Sequence, residues 1–315
     1  MNKLSPISQA FICFLLFALA HYPAQAGGEE KGLEGRRPSV LAGTWYPGTR
    51  GFLSRTVQGF LSEAGTTRLE GALRAVIVPH AGYRYSGRVA AHAYRLLEKR
   101  QFARVVLVGP SHRVSFKGVS VNLQSGYETP LGVVPVDRRM GRNIVKAGPN
   151  IRWLKQAHAN EHSLEIQLPF LQTTLKDFRI VPILMGQRDY NTCLNLANTL
   201  LQVLGDAEET LLLASSDLSH YHSSNKAKVL DLEFIKHVRS LDPKGLAGDI
   251  ISGKCEACGA GPVVTILLAA RAMGANQTVI LDYADSGDVT GDHSSVVGYL
   301  SAALVKSSDT GPHPR

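Results

Sequence analysis

The chain has 315 residues, of which 44% are hydrophobic and 19% charged, and this composition excludes a mainly disordered protein. Four cysteines are too few for a small fold stapled by disulfides. The formal charge is +8, but the basic residues are scattered, whereas a nucleic-acid-binding protein concentrates them on one helix or stripe, so we expect no nucleic acid partner.

The first 26 residues have the pattern of a cleavable secretory signal peptide. Lys3 precedes the apolar run Ala10–Ala20, and Ala24–Ala26 presents small residues at a cleavage site. The run is shorter than the roughly 18–20 residues that span a bilayer. We therefore expect a secreted or periplasmic protein that is not integral to the membrane after cleavage. Cleavage removes one Lys and no acidic residue, so the charge falls from +8 to +7.

The rest of the chain divides into a short leading segment, one domain and a tail. Residues 27–37 are polar and Gly-rich, which is typical of a flexible segment, and residues 307–315 are typical of a disordered tail. Between them, from 38 to 306, short apolar runs alternate with helix-length amphipathic segments. This alternation predicts an α/β fold in a single domain, with a central, mostly parallel sheet that carries helices on both faces.

The predicted strands are apolar throughout, as buried central strands are. They are Arg74–Pro79, Arg104–Gly109, Arg179–Met185, Thr210–Ser215 and Gln277–Tyr283, with one or two further strands in Ser294–Val305. The amphipathic segments predict helices at Gly87–Lys99, Asp189–Leu204, Asn225–Val238 and Gly261–Ala272.

Three of the predicted strands are each followed by a histidine. His80 follows the first strand, His112 follows the second, and His220 follows Thr210–Ser215 by way of Asp217. Chemistry in such folds gathers at the carboxyl ends of the strands, so we expect the three imidazoles to lie at one edge of the sheet. Imidazole is the commonest metal ligand in proteins and the commonest general base near neutral pH.

Cys255 and Cys258 lie directly before an apolar helix, whose N-terminus stabilises a thiolate. Three interpretations stay open: a redox pair or disulfide, a single soft metal ligand beside the histidines, or a buried structural cysteine. Three cysteines remain after removal of the signal peptide, so at least one thiol lacks a partner within the chain.

The segment Asn160–Pro169 predicts the beginning of a helix, with Leu164 and the leucines after it forming one buried stripe. His162 and Glu165 are three residues apart and share another face. That spacing fits half of a carboxylate-bridged metal site, and it equally fits acidic side chains near the positive end of a helix.

Taken together, these segments resemble the Memo family, whose bacterial and archaeal members are often labelled AmmeMemoRadiSam system protein B. The matching segments, in chain order, are Ala42–Gly48, Pro79–Gly87, Gly109–His112, Thr129–Gly132, Glu161–Pro169, Pro182–Gly186, Ser215–His220, Cys258–Pro262 and Ser294–Tyr299. They cover nearly all of the chain after the predicted signal peptide. The resemblance implies a fold like that of the class III extradiol dioxygenases, which is an α/β architecture around one central pocket.

The resemblance also implies a metal centre. It makes His80, His112 and Cys258 the ligands of iron or copper, and a set of two imidazoles and one thiolate also accepts zinc. It makes His220, with Asp217 beside it, the group that moves protons. The remaining residues that we expect around the same pocket are Tyr83, Ser111, His162 and Glu165. A disulfide between Cys255 and Cys258 would remove the ligand thiolate.

Three functions fit this set of residues. The first is a redox-active metal protein, a dioxygenase-like oxidoreductase whose substrate is an unknown small molecule or peptide. The second is a non-catalytic binding module for anionic or phosphotyrosine-like peptides, with Arg84 and Arg88 near the pocket. The third is a ring-cleaving non-haem-iron dioxygenase, which a thiolate in place of the usual carboxylate ligand disfavours.

Overall fold

A computed structural model of the protein describes residues 35–204 and 208–307. The predicted signal peptide, residues 27–34 of the predicted leading segment and the tail from residue 308 lie outside the described residues. Within the described ranges, no helix has the length and apolar character needed to cross a membrane.

The strands within these ranges follow one another along most of the chain. They are β1 (Arg36–Arg37), β2 (Ala72–Val78), β3 (Arg104–Pro110), β4 (Val119–Val121), β5 (Gly126–Thr129), β6 (Gly132–Pro135), β7 (Ile151–Arg152), β8 (Arg179–Met185), β9 (Thr210–Ser215), β10 (His220–His222), β11 (Gln277–Asp285) and β12 (Val296–Lys306).

Helices separate most of the longer strands. They are α1 (Arg50–Glu63), α2 (Tyr83–Arg95), α3 (Arg138–Ala147), α4 (Lys155–Ala159), α5 (Leu168–Thr174), α6 (Tyr190–Leu204), α7 (Ser224–Arg239), α8 (Pro243–Ile251), α9 (Ala260–Ala272) and α10 (Gly287–Thr290), with a 3₁₀ turn at Glu165–Gln167.

One mixed sheet organises the domain. Its strand order is β10-β12-β2-β9-β3-β8-β4-β7, and β11 also pairs with β12. The four central strands β2, β9, β3 and β8 run parallel, while β12 and β4 run antiparallel on either side of them. The predicted α/β single domain is confirmed, with parallel pairing concentrated in the centre of the sheet. The connection from β11 to β12 is short, and a short connection joins antiparallel strands.

The central strands are apolar throughout because both of their faces are covered. In β3, Val106 and Val108 belong to one buried cluster, while Val105 and Leu107 belong to the other. Side chains alternate between the two faces of a strand, so each face needs its own apolar set. Helices α3, α6, α7, α8 and α9 cover the first face, and α1, α2 and α5 cover the second.

Most predicted elements occur with small shifts at their ends. The strands Arg179–Met185 and Thr210–Ser215 are confirmed at both bounds. The one or two strands expected in Ser294–Val305 are a single strand, which begins at Val296 and ends one residue beyond that range, at Lys306. The helix predicted at Gly87–Lys99 lies four residues earlier, at Tyr83–Arg95, with Gly82 at its N-cap position. The fold also includes Arg36 and Arg37 of the predicted leading segment as β1.

The segment after Asn160 differs more from its prediction. The leucine stripe is buried, but Glu165–Gln167 forms a 3₁₀ turn and the α-helix begins only at Leu168. Pro169 occupies the first turn of that helix, where its missing N–H costs no hydrogen bond. His162 therefore lies in a loop before the helix and does not share a helical face with Glu165.

The loop after β9 and the start of α9 pack tightly against each other. A Cβ atom at Gly259 would lie 2.3 Å from the carbonyl oxygen of Ser215 and 2.5 Å from the Cβ of Ser216. This close approach brings Cys258 to the carboxyl end of the central strands.

We expect Gly259→Ala to lower the free energy of unfolding by about 1–3 kcal/mol, because the added methyl group forces the backbone apart. Gly59, in α1, provides the matched control, since its Cβ would meet nothing within 4 Å. Gly59→Ala should raise the free energy of unfolding by about 0.5–1 kcal/mol through helix propensity. Urea unfolding of both variants measures the two effects, and equal stabilisation by both would contradict the packing described here.

Candidate metal centre

Three side chains from separate elements converge at the carboxyl edge of the sheet. His80 follows β2, His112 follows β3 and Cys258 precedes α9. A ligand atom from each of them lies within 4.8 Å of the other two, and His80 Nε2 lies 3.1 Å from Cys258 Sγ. The strand ends predicted that His80 and His112 lie together, the family resemblance added Cys258, and the structure brings all three side chains together.

A hydrogen-bond chain fixes the tautomer of His80. Its Nδ1 lies 2.9 Å from the Ser215 hydroxyl, whose single hydrogen is donated to the carbonyl oxygen of Ser163 over 2.6 Å. The Gln167 amide nitrogen also donates to this hydroxyl, over 2.9 Å, so Ser215 Oγ accepts from both. His80 Nδ1 must therefore carry the proton, which leaves the Nε2 lone pair directed at Cys258.

Glu161 fixes the tautomer of His112. One carboxylate oxygen lies 2.9 Å from His112 Nδ1, and the other accepts the His112 backbone N–H over 2.6 Å. Burial opposes ionisation of Glu161, but the hydrogen bonds from His112 and from the backbone outweigh it and hold the pKa of Glu161 well below its usual range. The ionised carboxylate accepts a hydrogen bond from the proton-bearing Nδ1 of His112, which leaves Nε2 with a free lone pair for a metal ion.

The donor set fits a reactive metal site. Two neutral imidazoles and one sulfur form a soft-to-borderline set of three ligands, and a carboxylate behind a histidine is the usual support of a metal-bound imidazole. Burial holds the pKa of His80 well below its ordinary value, so the ring keeps its lone pair at neutral pH. Burial, followed by the nearby Asp217, raises the pKa of the Cys258 thiol. A bound cation would reverse that effect, because a coordinating thiol is deprotonated.

The cysteines of the described residues are free thiols. Cys193, Cys255 and Cys258 form no disulfide, so the Sγ atom of Cys258 is available. Burial raises the pKa of Cys255 to about 12, and Cys255 is almost completely buried. Cys193, in α6, is buried in the apolar core, with its Sγ atom 3.4 Å from the carbonyl oxygen of Gly261 in α9.

Asp217 and His220 lie beside the three side chains. Asp217 is buried, accepts the His80 backbone N–H over 2.6 Å and has a second oxygen 3.9 Å from His80 Nε2. Burial raises the pKa of Asp217 to about 6. His220 donates from Nδ1 to the carbonyl oxygen of Leu218 over 2.8 Å, which leaves Nε2 without a hydrogen-bond partner among the described residues. His220 also lines the cavity that opens in front of these groups.

His162 lines the same cavity, beside His112. Its ring stacks on His112 with centroids 4.4 Å apart and lies 4.6 Å from the Trp45 ring. Burial, and secondly the neighbouring His80, lower the pKa of His162 to about 3, so this imidazole is neutral. Its buried Nδ1 has no hydrogen-bond partner among the described residues.

A cavity of about 1150 Å³ opens in front of these groups. His80, His112, His162, Asp217, His220 and Cys258 all contribute to its lining. Tyr83, Ser111 and Glu165, which were also expected there, are not among the lining residues. The Tyr83 hydroxyl donates to the Ile166 carbonyl, and the Ser111 hydroxyl donates to the Val114 carbonyl. The Glu165 carboxylate is buried against Arg37, behind the wall.

Several side chains of the site were missed by reasoning from sequence. Glu161 was considered only as an acidic residue near a helix end, although its position beside His162 placed it close to the site. The position of Ser215 could have indicated its role, because it is the last residue of β9 and therefore lies at the same sheet edge as Asp217 and the histidines. Trp45 and Arg188 also line the cavity. Trp45 lies within the matching segment Ala42–Gly48, but that match gave it no role, and Arg188 lies outside every matching segment.

Apart from the groups at the sheet edge, one further group of possible metal ligands among the described residues lies on α7 and α8. His237 Nε2 lies 2.8 Å from Asp249 and 3.7 Å from Glu233. Lys254 and Lys236 already neutralise these two carboxylates, over 2.9 and 2.7 Å. Ion pairs therefore explain why these side chains lie together without a metal ion. No lysine or arginine of the described residues pairs with His80, His112 or Cys258 in this way.

Comparison with known proteins gives one family. A family model described as Memo-like protein matches residues 36–303. A MEMO1 family protein of Methanothermobacter thermautotrophicus is 37% identical over 275 residues, which cover 84% of this chain and 98% of that protein. One from Methanopyrus kandleri is 36% identical over 279 residues, with coverage of 85% and 98%. One from Nitrosopumilus maritimus is 31% identical over 268 residues, with coverage of 84% and 97%.

Buried neutral histidines predict that acid destabilises the metal-free protein. As the pH falls from 6.5 towards 4, the unfolded chain gains protons at His80, His158 and His162, whose native pKa values burial lowers, in the last two to about 3. Asp217, with its pKa raised to about 6, gains one proton in the native state and offsets one of these three. The free energy of unfolding should therefore fall by about 3 kcal/mol per pH unit near pH 5.

Urea unfolding at several pH values measures this slope. His158→Gln should reduce it by about half, because one of the two net protons is lost. His293→Gln, at an exposed position, should leave it unchanged. An unchanged slope in the His158 variant would contradict the neutral state of that ring.

Proposed function

The chain belongs to the Memo-like family, and we propose that it is a metal protein with one mononuclear centre, held by Nε2 of His80, Nε2 of His112 and Sγ of Cys258. The convergence of these three donor atoms, with both imidazole Nδ1 atoms occupied by hydrogen bonds, is the observation that carries the proposal.

We propose iron or copper as the metal and a redox role for it. Two imidazoles and a thiolate favour copper and iron over hard cations such as magnesium, and zinc competes for the same set. Three protein ligands leave coordination positions open, which is the arrangement of reactive rather than structural sites. When bound, such a metal supplies electron transfer and polarisation of a substrate oxygen.

The surrounding residues would move protons, hold the ligands in place and limit the access of water. His220 would hold or move a proton at Nε2, since its Nδ1 is already committed to the Leu218 carbonyl. Asp217 would keep the His80 loop in place through the His80 backbone N–H. Trp45 and His162 would form an aromatic wall that limits water beside His112. The substrate would be a small molecule or peptide that fits the cavity.

We further propose that the protein is exported, on the basis of the sequence pattern of residues 1–26. A metal bound to Cys258 would then also protect this thiol from oxidation, including pairing with Cys255. Detection of the mature chain outside the cytoplasm tests the proposal, and retention of an uncleaved chain inside the cell would contradict it.

Metal analysis of single-site variants tests the metal centre. We expect about one iron or copper ion per wild-type chain, and at least a tenfold loss of affinity in His80→Ala and in Cys258→Ser. Cys255→Ser and His92→Gln are the matched controls, because they remove a nearby thiol and a remote imidazole. Metal content unchanged in both ligand variants would refute the proposal.

A second candidate function is the binding of anionic peptides, and two arginines favour it. Arg84 and Arg188 line the cavity, and neither forms an ion pair with another described residue. Arg88, which we also expected to contribute, is instead paired with Glu63 over 2.9 Å. An anion held by Arg84 and Arg188 would lie in the same cavity as the metal ligands.

Turnover separates the two functions. The metal-loaded protein is offered catechols and thiols while oxygen consumption is followed, and anionic peptides are titrated in parallel. Consumption of oxygen supports the redox role, and ring-opened products from catechols would identify the third candidate, a ring-cleaving dioxygenase. Peptide binding that Arg188→Gln weakens at least tenfold, together with no turnover, would favour the binding module.

A further inference from the structure

Arg37 is a buried cation that the metal chemistry does not use directly. Its side chain is 1% exposed, although it belongs to the two-residue strand β1 near the beginning of the described chain. Burying a guanidinium is costly unless its donors are satisfied, so its partners indicate what it holds in place.

The partners of Arg37 lie in the segment that leads into the metal centre. Arg37 Nε donates to the carbonyl oxygen of His158 over 2.7 Å, and a terminal nitrogen donates to the carbonyl oxygen of Glu161 over 2.6 Å. One planar guanidinium therefore fixes both ends of residues 158–161. Its face also lies 4.9 Å from the centre of the Tyr127 ring.

Glu161 connects this clamp to a proposed metal ligand. Its backbone carbonyl accepts from Arg37, and its carboxylate holds both Nδ1 and the backbone N–H of His112. The same carboxylate accepts the backbone N–H groups of His162 and Ser163, each over 3.0 Å. A shift of the Glu161 backbone would therefore change the position of the His112 ring.

Glu165 supplies the opposite charge. Its buried carboxylate is paired with Arg37 and accepts the Tyr46 hydroxyl over 2.6 Å and the Ser39 hydroxyl over 2.7 Å. The Leu41 backbone N–H also donates to it, over 3.0 Å. These contacts fasten residues 39–46, which carry Trp45 of the cavity wall, to the segment that contains Glu161.

We infer that Arg37, paired with Glu165, is a positioning residue for the metal centre, because it fixes the Glu161 segment and through it the orientation of His112. This inference rests on the proposed metal-binding function. A lysine at position 37 could still pair with Glu165, but it has no planar fork that reaches the carbonyls of both His158 and Glu161.

A double-mutant cycle on metal affinity tests the inference in the full chain, with Cu²⁺ as the probe and competition against a chelator as the measurement. Glu161→Ala should lower the affinity about 10–100-fold, as loss of a carboxylate behind a metal-bound histidine does. Arg37→Lys should lower it about fivefold or more. In the Glu161→Ala background the same change should cost less than about twofold, because the connection to His112 is already lost.

Arg104→Lys is the matched control. Arg104 also donates to a carboxylate and a hydroxyl, those of Asp137 and Thr210, but it lies at the opposite end of the central strands. This variant should leave copper affinity unchanged, because it disturbs an ion pair that is remote from the metal centre.

If Glu161→Ala does not fold, ¹⁵N NMR of the histidines in the Arg37→Lys variant tests the inference instead. In the metal-free protein, Arg37→Lys should shift the ¹⁵N resonance of His112 Nδ1 and leave that of His80 Nδ1 in place, since His80 depends on Ser215 instead.

The possible failures are distinguishable. Unchanged copper affinity in His80→Ala would refute the metal centre itself. Loss in His80→Ala, together with an Arg37→Lys variant that behaves like Arg104→Lys or that shifts both histidines equally, would refute only the positioning role.

Discussion

The hydrogen bond at Nδ1 of each imidazole is the constraint on which the candidate centre depends. A neutral imidazole has one donor and one acceptor nitrogen, so a partner that must accept at Nδ1 leaves Nε2 with a free lone pair. Ser215 is forced to accept from His80 because its own hydrogen is donated to the Ser163 carbonyl. Glu161 accepts from His112 as an ionised carboxylate. Two different partners thus direct two nitrogen atoms towards the sulfur of Cys258.

Shifted pKa values explain how so many titratable groups can be buried together at this site. The site gathers imidazoles whose pKa values burial lowers, a thiol whose pKa burial raises, and Asp217, whose pKa burial raises to about 6. Each of these shifts disfavours the charged form, so without a cation His80, His162 and Cys258 are neutral at neutral pH, whereas Asp217 still ionises above pH 6. A bound cation would favour the thiolate and the neutral imidazoles together. The same arrangement gives affinity for a metal and sensitivity to acid.

Sequence reasoning reached the fold and the pairing of the two histidines because those features are local or follow from topology. Strands buried on both faces are apolar throughout, and their carboxyl ends share one edge, which brings His80 and His112 together. The role of Cys258 came from the family resemblance. Glu165 was placed in the pocket by the family resemblance, and its three-residue spacing to His162 was interpreted on a helix that the structure replaces with a loop and a 3₁₀ turn. Its actual partner, Arg37, lies 128 positions away in sequence, a contact that no local pattern encodes.

Diffraction from crystals of the metal-loaded protein, recorded at the iron, copper and zinc absorption edges, tests the central claim most directly. One anomalous peak per chain, at bonding distance from Nε2 of His80, Nε2 of His112 and Sγ of Cys258, is the predicted result. A peak bonded to Nδ1 of either histidine, a peak only at the His237 group, or no peak at the sheet edge would contradict the account.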